Sequence, residues 1–192
     1  EAGRLEEALR RLERHSREHP GGALAADSLY AKAEVLVRLG RHLEGARAYG
    51  EFLARFPRDE RAQDARFRRG VCLNAAGSWE EARAEFEAIV KSGASGREVA
   101  EAAFLLAEAA RKAGREQEAI SYYERCAAAD PRSERAAEAL WALASMAKSS
   151  GRTAEAMRLA RRLVAEHGGS RLVPWALLLE ADLLLADSKP QE

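Results

Sequence analysis

Aromatic residues, cysteine, proline and net charge are all scarce in this 192-residue chain. Aromatics are 6% of it, and there are two Cys and five Pro. The charges cancel, with 31 Lys and Arg against 31 Asp and Glu. A nucleic-acid binder needs a basic excess to neutralise phosphates, so the balance argues against that class. No stretch approaches the roughly 18 consecutive apolar residues of a membrane-spanning helix. Cys72 and Cys126 are too few for a disulfide framework and read as small buried apolar residues. β-Branched residues are also sparse, which removes the usual material of sheets. What remains is 47% hydrophobic, so the chain is not of the disordered class. It holds 42 Ala and is otherwise rich in Leu, Glu and Arg, all strong helix formers. The composition predicts an all-α protein. Of the 31 basic residues 26 are Arg, a bias that suits a GC-rich genome and says little about function.

The apolar positions recur every three or four residues, the helical period. On a longer scale Gly3, Gly40, Gly77, Gly114 and Gly151 each lie 37 residues after the last. Five positions after each glycine stands a small residue: Ala8, Gly45, Ala82, Ala119 and Ala156. Nine after stand Leu12, Tyr49, Phe86, Tyr123 and Ala160, and seventeen after stand Pro20, Pro57, Ala94, Pro131 and Gly168. Seven before the last four glycines come Ala33, Gly70, Ala107 and Ala144, and ten before come Tyr30, Phe67, Phe104 and Trp141. Six columns held in one register define an internal repeat. Each pivot glycine follows an apolar run and can take the left-handed conformation that ends a helix. A second helix then restarts, as at Ser78-Trp79-Glu80-Glu81, where Ser78 is a suitable cap. Small residues on both sides of the pivot let the paired helices approach, the aromatic plugs the gap beside them, and Pro ends the second helix.

The pattern G-x4-A-x3-[YF]-x7-P, with a small residue seven before the Gly, resembles the tetratricopeptide repeat. The usual period of that repeat is about 34 residues; the present 37 places three extra residues after the Pro. Links such as Pro57-Arg58-Asp59-Glu60-Arg61-Ala62 and Pro131-Arg132-Ser133-Glu134-Arg135-Ala136 resemble those of bacterial envelope repeat proteins. Outer-membrane assembly lipoproteins of the BamD type and Tol-associated periplasmic coordinators of the CpoB type are examples. The resemblance implies a right-handed α-α superhelix (a solenoid) of about ten helices forming one domain over 1–192. Its parts would be a second helix of a truncated repeat at 1–20, full repeats at 22–57, 59–94, 96–131 and 133–168, and a first helix at 171–186. Residues 187–192 would form a polar tail. Gly93-Ala94-Ser95-Gly96 replaces the Pro link and is the expected place for bending. The sequence opens mid-helix without Met or signal peptide and reads as a fragment of a longer protein.

The same resemblance implies that first helices line a groove that binds a protein or peptide partner. Tyr30, Phe67, Phe104 and Trp141 would form an aromatic ladder there, one rung per repeat. Asp27, Asp64, Glu101 and Glu138, thirteen before the pivot, would alternate with it. Buried packing for the aromatics, and helix-dipole service for the acids, are the competing explanations. Arg38, Arg111, Lys112 and Lys148 near the helix ends are candidates for an acidic partner segment or for a solvated face. A clamp for a terminal carboxylate is not expected, because the column Glu34, Val71, Glu108 and Ser145 holds no Asn.

The last predicted helix is apolar nearly all round, which marks a buried helix. Trp175, Leu178, Leu179 and Leu183 are therefore expected to form a contact surface, including a possible homo-oligomer interface. His15 and His19 stand four apart but lack a third ligand, so no metal and no cofactor is expected. No nucleophile elbow or phosphate loop occurs. The reading is a non-enzymatic scaffold of the bacterial envelope, periplasmic or attached to the outer membrane, with a cytoplasmic setting as the alternative. A regulatory or oligomerisation arm of a larger enzyme or signalling protein is the competing function.

Overall fold

A computed structural model describes residues 2–187. Ten α-helices occur among them and no strand: α1 Ala2–Glu18, α2 Ala25–Arg38, α3 His42–Arg55, α4 Ala62–Ala75, α5 Trp79–Lys91, α6 Arg97–Lys112, α7 Glu116–Ala129, α8 Glu134–Ser149, α9 Thr153–Glu166 and α10 Val173–Asp187. Asp187, expected to open the tail, is the last residue of α10, and 188–192 lie outside the described residues. Pro174 sits in the first turn of α10, where the missing N–H costs nothing.

Three-residue turns join α2 to α3, α4 to α5, α6 to α7 and α8 to α9. Turns this short force antiparallel neighbours. Each contains a pivot glycine at positive φ: Gly40 (73°), Gly77 (82°), Gly114 (71°) and Gly151 (71°). Around Gly40 its own N–H donates to Val37 O and the Arg41 N–H donates back to Leu36 O, both at 2.9 Å. The same pair recurs at Ser78→Leu73, Arg115→Ala110 and Arg152→Ala147. These bonds satisfy the carbonyls a helix end leaves over. Ser78 is at the N-cap of α5 but makes no side-chain cap bond, contrary to expectation. Its ψ of 62° departs from the extended conformation in which a cap hydroxyl meets the first turn. Ser133, extended at ψ 156°, does cap: its Oγ accepts from Ala136 N at 3.2 Å.

Packing divides the chain into two compact units, Glu1–Ser92 and Gly93–Glu192, with the division at the glycine-bearing link. In the first unit each of α1 to α4 packs on the next helix, and in the second each of α6 to α9 does so. The columns of small residues lie inside. Ala33, Ala82, Ala107, Ala119, Ala144 and Ala156 are fully buried, as are Tyr49, Phe86 and Tyr123 beside them. A Cβ built on Gly70 would stand 2.6 Å from the Phe86 ring, so glycine is what admits that aromatic.

Candidate functional site

The four ladder aromatics are all half-buried. Three pack on an aromatic of the second helix in their own repeat. Tyr30 meets Tyr49 at 5.6 Å between ring centres, Phe67 meets Phe86 at 6.0 Å, and Phe104 meets Tyr123 at 5.7 Å. Trp141 has Ala160 in that place, the smaller residue of the column. The ladder is thus both core and surface, since each ring keeps one side toward the first-helix face.

Asp27 and Asp64 lie in the first turns of α2 and α4, yet the acids of the candidate site are all engaged. Arginines from the next repeat hold Asp27, Glu101 and Glu138, and Arg68 of the same helix holds Asp64. Arg61 reaches Asp27 at 2.8 Å and lies over the Tyr30 ring at 5.0 Å. Arg135, two repeats later, reaches Glu101 at 2.9 Å and lies over Phe104 at 4.4 Å. Arg135 also binds Glu138, which Arg171 holds from its other side at 2.7 Å. Asp64 accepts from the Tyr30 hydroxyl and from Arg68 at 2.7 Å. Burial, reinforced by the bond to Asp64, raises the Tyr30 pKa, so that phenol stays protonated. The arginine column was missed in the sequence although its signal was there: Arg61 and Arg135 share one register, 74 residues or two periods apart.

The four basic candidates divide. Arg111 pairs with Glu108 at 2.8 Å and Lys148 with Asp182 at 3.1 Å. Arg38 and Lys112 are exposed and form no ion pair among the described residues. The hydrogen bond from Arg111, with a further one from the Tyr123 hydroxyl, lowers the Glu108 pKa against the opposing effect of burial. Its carboxylate is fixed in the charged form.

In the second unit four predicted residues converge. Phe104, Arg111, Glu138 and Trp141 line an open hollow of about 420 Å³, together with Glu108, Ala142, Ser145 and Leu172. Such a volume lies in the range of ligand pockets. Phe104, Trp141, Ala142 and Leu172 make its apolar part; Glu108 and Glu138 are already neutralised by arginines. A second depression beside Gly114, Glu116 and Ser149 shares Arg111 and Ser145 with it and extends the site along α6 and α8. In the first unit the position two repeats before Ala142 is Arg68, whose guanidinium spans Asp64 and Glu34 (2.7 and 3.8 Å). Tyr30, Asp27 and Asp64 there sit among arginine head groups.

Of the four residues expected at a terminal surface, two are exposed and two are buried. On α10, Trp175 and Leu178 are exposed, 57% and 53%. Leu179 and Leu183 face the other way and are buried with Ala176, because the i, i+4 spacing turns that stripe toward α9. They cannot belong to an outward interface. His15 and His19 stack at 5.1 Å and His15 Nδ1 is engaged by Ser28 Oγ at 2.8 Å. Among the described residues no group of three His, Cys, Asp or Glu is gathered for a metal. Burial raises the Cys72 pKa and pushes that of Cys126 up to about 12, so both are protonated thiols at neutral pH. No helix among the described residues is long and apolar enough to cross a membrane.

Paired helices turning on left-handed glycines, at a 37-residue period, define the class of all-α repeat solenoids. The tetratricopeptide-repeat family model matches residues 30–97 and 79–134, together more than half of the chain. The chain belongs to that family. A tetratricopeptide repeat protein from Parabacteroides merdae is similar in structure, with a TM-score of 0.65 at 18% identity over 97% of this chain and 68% of that one. BtubC from P. vanneervenii gives a TM-score of 0.63 at 15% identity, covering 97% of this chain and 82% of that one. YrrB, a TPR protein with an unusual peptide-binding site, gives 0.61 at 15% identity, covering 92% and 83%. At these identities the likeness is one of fold. No curated protein sequence matches.

Proposed function

We propose that this chain is a non-enzymatic scaffold that binds a protein segment along the first-helix face of its second unit. The observation that carries the reading is the hollow lined by Phe104, Trp141, Ala142 and Leu172. Rigid aromatics beside a small residue suit an apolar or aromatic anchor from an extended or helical segment. The surrounding ion pairs, Arg111 with Glu108 among them, are internally satisfied, so selectivity rests on shape. Family membership supports the class of function, and the peptide site of YrrB shows that the fold can carry one. The Pro-containing links support a setting in bacterial envelope assembly or coordination. Membrane and periplasmic fractionation of the producing cell tests that setting, and recovery in the cytosol alone rejects it.

The binding test uses peptides selected from a random library on the immobilised chain. Trp141→Ala and Phe104→Ala should each weaken them at least tenfold while the circular dichroism stays helical. Peptides indifferent to both substitutions would remove the hollow as the binding site.

A further inference from the structure

Positions 37 residues apart take the same place in successive repeats, so each repeat is a control for the others. On α4, Arg69 forms an ion pair with Glu85 of α5 at 2.6 Å, and Arg66 reaches the same carboxylate at 3.4 Å. The Glu85 side chain is only 12% exposed, so the second repeat builds a nearly buried seat for a carboxylate. One repeat earlier the cation is kept, as Lys32 on α2, but Ala48 stands where Glu85 would be. In the third and fourth repeats the same two places hold Leu106 with Tyr122 and Leu143 with Leu159. Lys32 therefore has neither the built-in carboxylate nor the apolar exchange made elsewhere. A second residue departs from its column nearby. Ser16 of α1 stands where the other second helices have Leu53, Val90, Ala127 and Val164. Its Oγ is buried and has no hydrogen-bond partner among the described residues. Departures of this kind from an otherwise consistent pattern are expected at functional places.

Ser16 and Lys32 line one open hollow of about 420 Å³ between α1, α2 and α3, wholly within the first unit. Arg17, Arg55, Glu13 and Glu51 complete its polar lining. Arg55 is engaged, by Glu51 at 3.2 Å and by the Pro20 carbonyl. Arg17 donates to the Glu13 backbone carbonyl at 3.2 Å. The side chains of Arg17, Lys32 and Glu13 form no ion pair among the described residues. Three cations against two carboxylates leave one positive charge in excess. We propose that this hollow receives the carboxylate of an Asp or Glu side chain carried by a protein partner. Lys32 and Arg17 supply the charge, and the Ser16 hydroxyl, turned to another staggered rotamer, donates to it. An excess of one charge matches a carboxylate, whereas a phosphate monoester brings about −1.5 to −2. The hollow is open, and a free small ligand is typically bound with about 70–90% of its surface buried. An open seat suits a side chain whose remainder packs outside. Glu85 on Arg66 and Arg69 is the same arrangement supplied from within the chain.

The probes are peptides selected from a random library on the intact chain and counter-selected on its Lys32→Gln variant. Survivors should share an acidic residue, and its exchange for Asn or Gln should weaken them tenfold or more. Arg17→Gln should weaken them as much and Ser16→Ala severalfold, while Trp141→Ala leaves them unaltered. Lys32→Leu should abolish binding while the urea midpoint holds or rises, since Leu106 and Leu143 fill this column elsewhere. A fall in that midpoint makes Lys32 a structural residue and overturns the proposal. No survivors, survivors without a shared acid, or survivors indifferent to Arg17→Gln overturn it as well. So does glutarate competing at the affinity of the peptides, because the ligand is then a free acid. Inorganic phosphate competing more strongly than acetate overturns the choice of a carboxylate.

Discussion

Arg68 and Ala142 occupy one register two repeats apart, and the inner faces of the two units differ accordingly. In the first unit Arg68 ties Asp64 to Glu34, and Arg61 covers Tyr30. In the second the corresponding arginine over an aromatic is kept, as Arg135 on Phe104, but Ala142 brings no head group and a hollow remains beside Trp141. The helix pairs and their glycine turns are the same in both. The difference teaches that a single side chain on a first helix decides whether this face is filled by its own head groups or left open.

The largest effect should come from the core, where the units also differ. Phe86 in the first unit faces Gly70, whereas two repeats later the same register positions hold the buried Ala160 and Ala144. Gly70→Ala sets a methyl 2.6 Å from the Phe86 ring. Alanine would favour the helix itself by about 1 kcal/mol, but overpacking costs about 1–3 kcal/mol. A net loss of up to about 2 kcal/mol is expected in urea denaturation. The double substitution Gly70→Ala with Phe86→Leu should recover part of it. A stabilised Gly70→Ala variant would mean that the Phe86 side yields freely and that the two units pack alike.

An exchange of the distinguishing side chains ranks next. Ala142→Arg should fill the hollow and weaken the selected peptides at least tenfold, about 1.4 kcal/mol. Both positions are partly solvent-facing, so stability should move by less than about 0.5 kcal/mol. Arg68→Ala should open the Tyr30–Phe67 face, and titration calorimetry should then find a second peptide site. If Ala142→Arg leaves affinity unchanged, the contrast between the units is one of appearance only.

Repeat length, helix pairing, the glycine pivots and the buried small columns were legible in the sequence because each is a periodic backbone requirement. The ladder was legible as a column, but its partners were not. Three of its acids, Asp27, Glu101 and Glu138, are held by Arg61, Arg135 and Arg171, which come from the following repeat. A column read in isolation does not show which neighbour a long side chain will reach. The hollow was illegible for a related reason: it depends on Ala142 lacking what Arg68 has. On α10 the apolar character was plain, but Leu179 and Leu183 could be assigned to the wrong side because a helix apolar all round has no moment to orient it. Ser78 was a reasonable cap by residue type and failed on its backbone angle.

The smallest effect separates the units by pH. Asp59 and Ser133 occupy the same place in their links, two repeats apart. The Asp59 carboxylate accepts from the Arg61 side chain and then from its backbone N–H, which lower its pKa to about 2. The pKa in the folded state is thus below the unfolded value. Its contribution to stability is complete above about pH 4 and is lost as the pH falls through about 2. Asp59→Asn should therefore cost about 1 kcal/mol or less at pH 6, with the gap from wild type closing by about pH 2. Ser133 does the equivalent positioning without a titrating group, through its hydroxyl on Ala136 N. Ser133→Ala should cost about 1 kcal/mol as a lost cap, and the same at both pH values. Urea midpoints of the two variants against wild type, at pH 6 and near pH 2, measure this directly. A difference for Asp59→Asn that persists at low pH would show that the side chain acts through its shape in the link, as Ser133 does, and the two links would then be equivalent.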